Sequence, residues 1–127
     1  PFLLALIDID HFKAINDRYG HQAGDRILKT LVGILHEQSR DMDTVCRWGG
    51  EEFTVLMPRT RLEGGVSWAE RVQEALAEPL VPGLPAVSIS IGVTAYRDRD
   101  TSNSLLQRAD SAMYEAKKAG RDRIRSL

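Results

Sequence analysis

Residues Phe2 to Ile9 form a near-continuous apolar run, interrupted only towards its end by Asp8, with Asp10 just beyond. A strand apolar on both faces needs cover on both faces, so the run reads as a central, doubly buried strand. Period-two alternation puts Asp8 and Asp10 on one face at the strand's carboxyl end, where open α/β sheets tend to bind ligands. Buried carboxylates there require a compensating charge. The plainer alternative is that these acids merely end a strand.

A second acidic pattern, Gly49-Gly50-Glu51-Glu52-Phe53, lies between two strand-like runs, Thr44 to Trp48 and Phe53 to Met57. The glycine pair suits a hairpin turn needing positive φ, and without side chains it lets a ligand approach the backbone. By itself the pattern fits a solvent-exposed turn kept soluble by its glutamates. If the hairpin lies beside the first strand, Asp8, Glu51 and Glu52 converge on a hard oxygen-ligand site, which suits magnesium better than zinc.

The remaining elements follow from periodicity. A short helix is expected from His11 to Tyr19, stopped by Gly20, then a longer one that Asp25 can cap, with an apolar stripe of Ile27, Leu28, Leu31, Val32 and Leu35. After the hairpin come a helix turning Val66, Ala69, Val72 and Leu76 inward, a breaker-rich loop from Glu78 to Pro85, and an alternating strand with Val87, Ile89, Ile91 and Val93 on one face. A final helix runs from about Ser104 to Ala119. The order strand-helix-strand-strand-helix-strand is the split βαβ plan of ferredoxin-like sheets, an α/β (α+β) class.

With 127 residues, no internal linker and ordinary globular composition, the chain reads as one domain spanning 1–127. A net charge of −1 gives no global attraction to a nucleic acid polymer or an anionic membrane, so phosphate binding must come from local arrangement. No apolar stretch suits a bilayer span and no signal pattern is present, so the expectation is a soluble, cytoplasmic domain without membrane contact, although a full-length protein carrying it can be membrane-anchored. The single cysteine, Cys46, reads as a small core residue. His11, His21 and His36 lack partners at zinc spacing, and no serine, histidine and acid set points to hydrolase chemistry.

The segments Asp8-Ile9-Asp10-His11-Phe12-Lys13, Asn16-Asp17, Gly20-His21, Gly24-Asp25 and Arg47-Trp48-Gly49-Gly50-Glu51-Glu52-Phe53 closely resemble the GGDEF domain of diguanylate cyclases, in its GGEEF variant. So do Ser88 to Val93, Arg108-Ala109-Asp110 and Tyr114 to Arg121. The resemblance covers essentially the whole chain, with its motifs in family order. It implies a central mixed, mainly antiparallel sheet flanked by helices, similar to nucleotide cyclases and polymerase palms. It also implies condensation of two GTP molecules into cyclic di-GMP with release of two pyrophosphates. Asp8, the Ile9 carbonyl, Glu51 and Glu52 resemble the metal-binding set for magnesium, or manganese in its place. Either glutamate is a candidate base for the ribose 3′-hydroxyl. The amides of Phe12 and Lys13, with Gly50, Lys117 and Arg121, match substrate-binding positions around the phosphates. Asn16 and Asp25 match the pair that hydrogen-bonds guanine. Asp10 is expected to be structural.

Arg40 and Asp43 form an Arg-x-x-Asp pair nine positions before Gly49, resembling the family's inhibitory site for cyclic di-GMP, with Arg71 as a further contact. The alternative is an ordinary surface ion pair. One domain holds one GTP, so catalysis implies a homodimer of facing copies. Family members usually carry a helix before the first strand and, ahead of that, a sensor or receiver domain. Both are expected to lie outside this sequence. Glu51 replaces the aspartate of the family name, and Asp122 stands where asparagine is frequent. The competing function is a catalytically silent module that binds GTP or cyclic di-GMP as a signalling receptor.

Overall fold

The computed structural model describes residues 1–127. Its elements are β1 (Phe2–Ile9), α1 (Phe12–Tyr19), α2 (His21–Gln38), β2 (Thr44–Arg47), β3 (Glu52–Pro58), α3 (Leu62–Ala75), β4 (Ile89–Ala95), α4 (Ser102–Lys118) and β5 (Arg123–Ser126). The strands form one sheet in the order β2-β3-β1-β4-β5. β1 is central and antiparallel to both β3 and β4, β2 is antiparallel to β3, and only β5 runs parallel to its neighbour. The sheet is therefore mixed and mainly antiparallel, as expected. β5 was not legible as a strand, because Arg123-Ile124-Arg125-Ser126 has one apolar residue and takes its pairing from β4.

Cover on the two faces of β1 is unequal. Leu3, Ala5, Ile7 and Ile9 pack with Ile27, Leu31, Leu35 and Val72 in the main core, beneath α2 and α3. Leu4 and Leu6 join a smaller cluster with Leu105, Ala109 and Met113 of α4 on the other side, flanked by the partly buried Phe2 and Leu106. α4 lies very close to the sheet: a Cβ at Gly92 would fall 2.3 Å from the Met113 nitrogen and 2.4 Å from the Ala109 carbonyl. Its first turn is closed by a capping box between Thr101 and Ser104. Arg108 then fastens it down. Its Nη2 donates to Asp100 Oδ2 at 2.7 Å and to the Ala95 carbonyl at 2.8 Å, and its Nε donates to Thr94 Oγ1 at 2.6 Å. The Arg108 hydrogen bonds hold the Asp100 carboxyl well below the usual carboxylate range.

Several local expectations are corrected. α2 begins at His21 behind Gly20, whose φ of 92° turns the chain directly out of α1, so Asp25 lies a turn inside the helix and does not cap it. Cys46 is exposed, because β2 is an edge strand and this side chain has no covering helix. Trp68, not Val66, fills the inward position of α3, and its indole N–H donates to Ser39 Oγ at 3.3 Å. Neither Gly49 nor Gly50 has a positive φ. The hairpin turns instead by an open bend, in which the Trp48 and Gly49 amides both donate to the Glu52 carbonyl, at 2.8 and 3.3 Å. No helix is long and apolar enough to cross a membrane.

Candidate functional site

The split βαβ topology places β3 directly beside β1, in a register that sets Asp8 opposite Glu52. The Ile9 amide donates to the Glu51 carbonyl at 3.3 Å, tying the hairpin to the end of the central strand. Arg47 braces the bend from outside: its Nε donates to the Gly49 carbonyl at 3.2 Å and its Nη2 to that of Gly50 at 2.7 Å. Gly50 itself is open, with nothing within 4 Å of where a Cβ would stand.

A cavity of about 180 Å³ opens at this end of β1, lined by Asp8, Ile9, Phe12, Lys13, Glu51, Lys117 and Arg121 among others. These residues come from three stretches of the chain, 8–13, Glu51 and 117–121; Asp10 and His11, which were not expected at the site, also line the cavity, while Glu52 and Gly50, which were, are not among its lining residues. At the start of α1, His11 is left-handed, with φ 56°, and no side chain caps the helix, so its amino end faces the cavity with donors to spare. Lys117, at the end of α4, donates to Asp8 Oδ2. Asp8 is only 6% exposed, and its other oxygen, Oδ1, is buried without a partner. A buried carboxylate oxygen with no donor is costly, and it marks a place suited to a cation or a donor from a ligand.

Burial pushes the Glu52 carboxyl above its ordinary value of 4.5, and the charges of Asp8, Asp110 and Glu51 push it further, against the opposing pull of Lys117. Asp110 had no role in the sequence reading. Its signal was available in the seven-residue spacing that places it on the Lys117 side of α4. The carboxylates are not gathered into a closed cage: no three acidic or imidazole groups stand close enough to hold a metal ion as they are. Asp8 is engaged by Lys117 instead, which is the compensating charge its burial demanded. The orphaned Oδ1 and the elevated Glu52 nonetheless fit a hard divalent cation, because both would be relieved by one.

The guanine-binding candidates Asn16 and Asp25 do not line this cavity. Asp25 faces a hollow of about 390 Å³ with Leu28, Arg47 and Phe53. Asn16 lies under α2 with its Oδ1 buried and unpartnered, in space that Gly24 leaves free: a Cβ there would fall 1.9 Å from that oxygen. Asp10 is structural, as expected. Ser88 and Ser90 hydroxyls each donate to it at 2.6 Å and the Asp122 amide at 2.9 Å.

Arg40, Asp43 and Arg71 are brought together in a separate surface cavity of about 470 Å³, which also carries Arg59 and Arg61. Arg40 Nη2 donates to Asp43 Oδ1 at 3.0 Å, to the Pro58 carbonyl at 2.7 Å and to Thr60 Oγ1 at 2.5 Å. Arg71 Nε donates to Gln38 Oε1 at 3.3 Å. Four arginines against so few acids give this cavity an anion-attracting character.

Comparison with known proteins agrees with this geometry. The family described as "Diguanylate cyclase, GGDEF domain" matches residues 1–123. The chain is 45% identical to diguanylate cyclase DgcP of Pseudomonas aeruginosa over 130 residues, covering 96% of this chain and 19% of that protein. It is 44% identical to diguanylate cyclase DgcM of Escherichia coli K12 over 123 residues, covering 97% of this chain and 30% of that one. It thus spans a fifth to a third of the length of these relatives. Among solved structures, the active GGEEF domain of a diguanylate cyclase from Vibrio cholerae superimposes with a TM-score of 0.92 at 31% identity, over 98% of this chain and 81% of that one. A family match across nearly every residue, on a sheet that sets the signature hairpin beside Asp8, shows that the chain belongs to the GGDEF family of diguanylate cyclase domains.

Proposed function

We propose that this domain is one half-site of a diguanylate cyclase, joining two GTP molecules into cyclic di-GMP and releasing two pyrophosphates. The observation that carries the reading is a single cavity combining Asp8 with its orphaned oxygen, Glu51 of the hairpin, the three cations Lys13, Lys117 and Arg121, and the uncapped start of α1. In this reading the α1 amides of Phe12 and Lys13, with Lys117 and Arg121, bind the triphosphate. Asn16 and Asp25 take the guanine edge, where an acid accepts from the N1 and N2 hydrogens that adenine lacks. Gly50 leaves the bend open to the nucleotide. Magnesium, or manganese in its place, would be held by Asp8, the Ile9 carbonyl, Glu51 and Glu52, and would supply charge neutralisation at the phosphate oxygens.

The ribose 3′-hydroxyl loses its proton to a glutamate as its oxygen bonds to the α-phosphorus of the facing GTP, and pyrophosphate leaves in line. Glu52 is the better suited base, since burial raises its affinity for a proton. With one such cavity per domain taking one GTP, the reaction in this reading needs two copies of the domain facing each other.

Feedback by product belongs to the same proposal. The arginine-rich cavity at Arg40, Asp43 and Arg71 is suited to cyclic di-GMP, with planar guanidinium forks matching phosphate and guanine acceptors. Arg40→Ala is expected to abolish product inhibition; unchanged inhibition with intact activity would sink this part of the reading.

The decisive experiment fuses the chain to a parallel dimeric coiled coil, supplies GTP and magnesium, and identifies products by mass spectrometry beside a Glu52→Gln control. Cyclic di-GMP from the parent alone supports the cyclase. No product, with GTP or cyclic di-GMP still bound, supports a silent receptor module.

A further inference from the structure

Three consecutive residues after α4 have left-handed backbone: Gly120, Arg121 and Asp122, with φ of 125°, 64° and 47°. The first is explained by the helix end. The Arg121 amide donates to the Ala116 carbonyl at 3.0 Å and the Gly120 amide to that of Lys117 at 3.2 Å, the two bonds of a Schellman cap, which takes glycine at its turning position. Nothing in that cap requires the next two residues to stay left-handed, and for residues with a Cβ this conformation is sterically unfavourable. Such backbone persists only where its surroundings over-determine it.

Those surroundings are specific. The Asp122 amide donates to Asp10 Oδ2 at 2.9 Å. From α3, Gln73 Nε2 donates to the Asp122 carbonyl at 2.9 Å and to its Oδ1 at 3.2 Å. Asp10 is only 5% exposed and is locked by Ser90 on Oδ1 and Ser88 on Oδ2, so its anchoring oxygen cannot swing away. The outcome is that Arg121 lines the same cavity as Asp8 and Lys117. The sign of φ sets where the Cα–Cβ bond points relative to the preceding peptide, so relaxing residue 121 to negative φ would turn its side chain elsewhere.

We propose that Asp10 and Gln73 are positioning residues: together they clamp the Gly120–Asp122 turn in its left-handed form and so aim the Arg121 guanidinium into the phosphate cavity. This rests on the assignment of Arg121 to the triphosphate made above, and goes beyond it by giving the signature strand's second aspartate and an α3 glutamine a task in substrate binding.

The test compares binding of GTP and of guanosine 5′-monophosphate to the 127-residue chain by calorimetry in magnesium buffer, with circular dichroism as the check on folding. Gln73→Ala, a surface change, is expected to weaken GTP about fivefold, the weight of one hydrogen bond, while the monophosphate affinity and the spectrum stay unchanged. Adding Asp122→Gly is expected to restore GTP affinity, because glycine keeps the amide and carbonyl and adopts left-handed backbone freely. Gln73→Ala binding GTP as the parent does, or a double variant as weak as Gln73→Ala, overturns the clamp. Arg121→Ala separates the two layers of the argument. If it leaves GTP affinity intact, the triphosphate assignment fails. If it weakens GTP while Gln73→Ala does not, only the clamp fails.

Discussion

Gly92 is the point at which packing and function are joined most tightly. It lies in β4 opposite Leu6 of β1, and its missing side chain is what lets the backbone of α4 rest on the sheet. In Gly92→Ala the new methyl would stand 2.3 Å from the Met113 nitrogen, 2.4 Å from the Ala109 carbonyl and 2.9 Å from the Met113 Cα. All three are backbone atoms and cannot rotate aside. Ordinary contact is near 3.5 Å, so α4 has to withdraw by about 1 Å. Overpacking of this kind costs about 1–3 kcal/mol, and with a urea slope of about 2 kcal/mol/M the unfolding midpoint should fall by about 0.5–1.5 M. Because α4 carries Lys117 and leads into Arg121, the same shift moves Lys117 away from Asp8 and Arg121 out of its place in the cavity, and a 1 Å misplacement of positioning groups costs up to about 100-fold in rate. Gly33→Ala is the control: it lies in α2 with nothing within 4 Å of the added methyl, and should stabilise by about 0.4–1 kcal/mol. Urea unfolding and turnover of a coiled-coil-fused dimer measure both consequences. A Gly92→Ala protein with the parent's midpoint would refute the claim that α4 is seated on β4 through this glycine.

Three further outcomes follow from the same geometry. Glu52 has a raised carboxyl, so the folded state holds its proton more tightly than the unfolded one, and its ionisation costs stability as pH rises above 4.5; Glu52→Gln should therefore lose activity yet melt higher than the parent at pH 7, the two converging below pH 4.5. Asp100 has the opposite sign: its contribution is complete above 3.8 and fades as pH falls below that value, so the parent's melting temperature should drop more steeply between pH 4 and 2 than that of Arg108→Met, which is less stable at neutral pH. Gly24→Ala would drive a methyl to 1.9 Å from Asn16 Oδ1, so it should weaken guanosine and GTP alike; calorimetry showing a loss for GTP only would argue against Asn16 at the base.

The parts of the chain that could be read in advance are those whose structure is decided locally or by a whole apolar face. The β1 run, the α2 stripe and the alternation of Ile89, Ile91 and Val93 each carry their periodicity in the residues themselves. What escaped was set by a partner distant in sequence. β5 has no apolar pattern and exists because β4 offers it a ladder. Cys46 looked internal because its strand is apolar, but an edge strand lacks cover, and edge position is a property of the sheet. The site divides in the same way. Asp8, Glu51, Glu52, Lys117 and Arg121 are recognisable by residue type and motif, but only the fold shows Lys117 neutralising Asp8 on one oxygen while the other is left orphaned. Asp10 gives the sharpest contrast. It sits two residues from Asp8 on the same face, yet three donors occupy its oxygens whereas Asp8 Oδ1 has none. Two carboxylates of one strand end are thereby assigned different work by their donors, one holding backbone and the other left open to a cation.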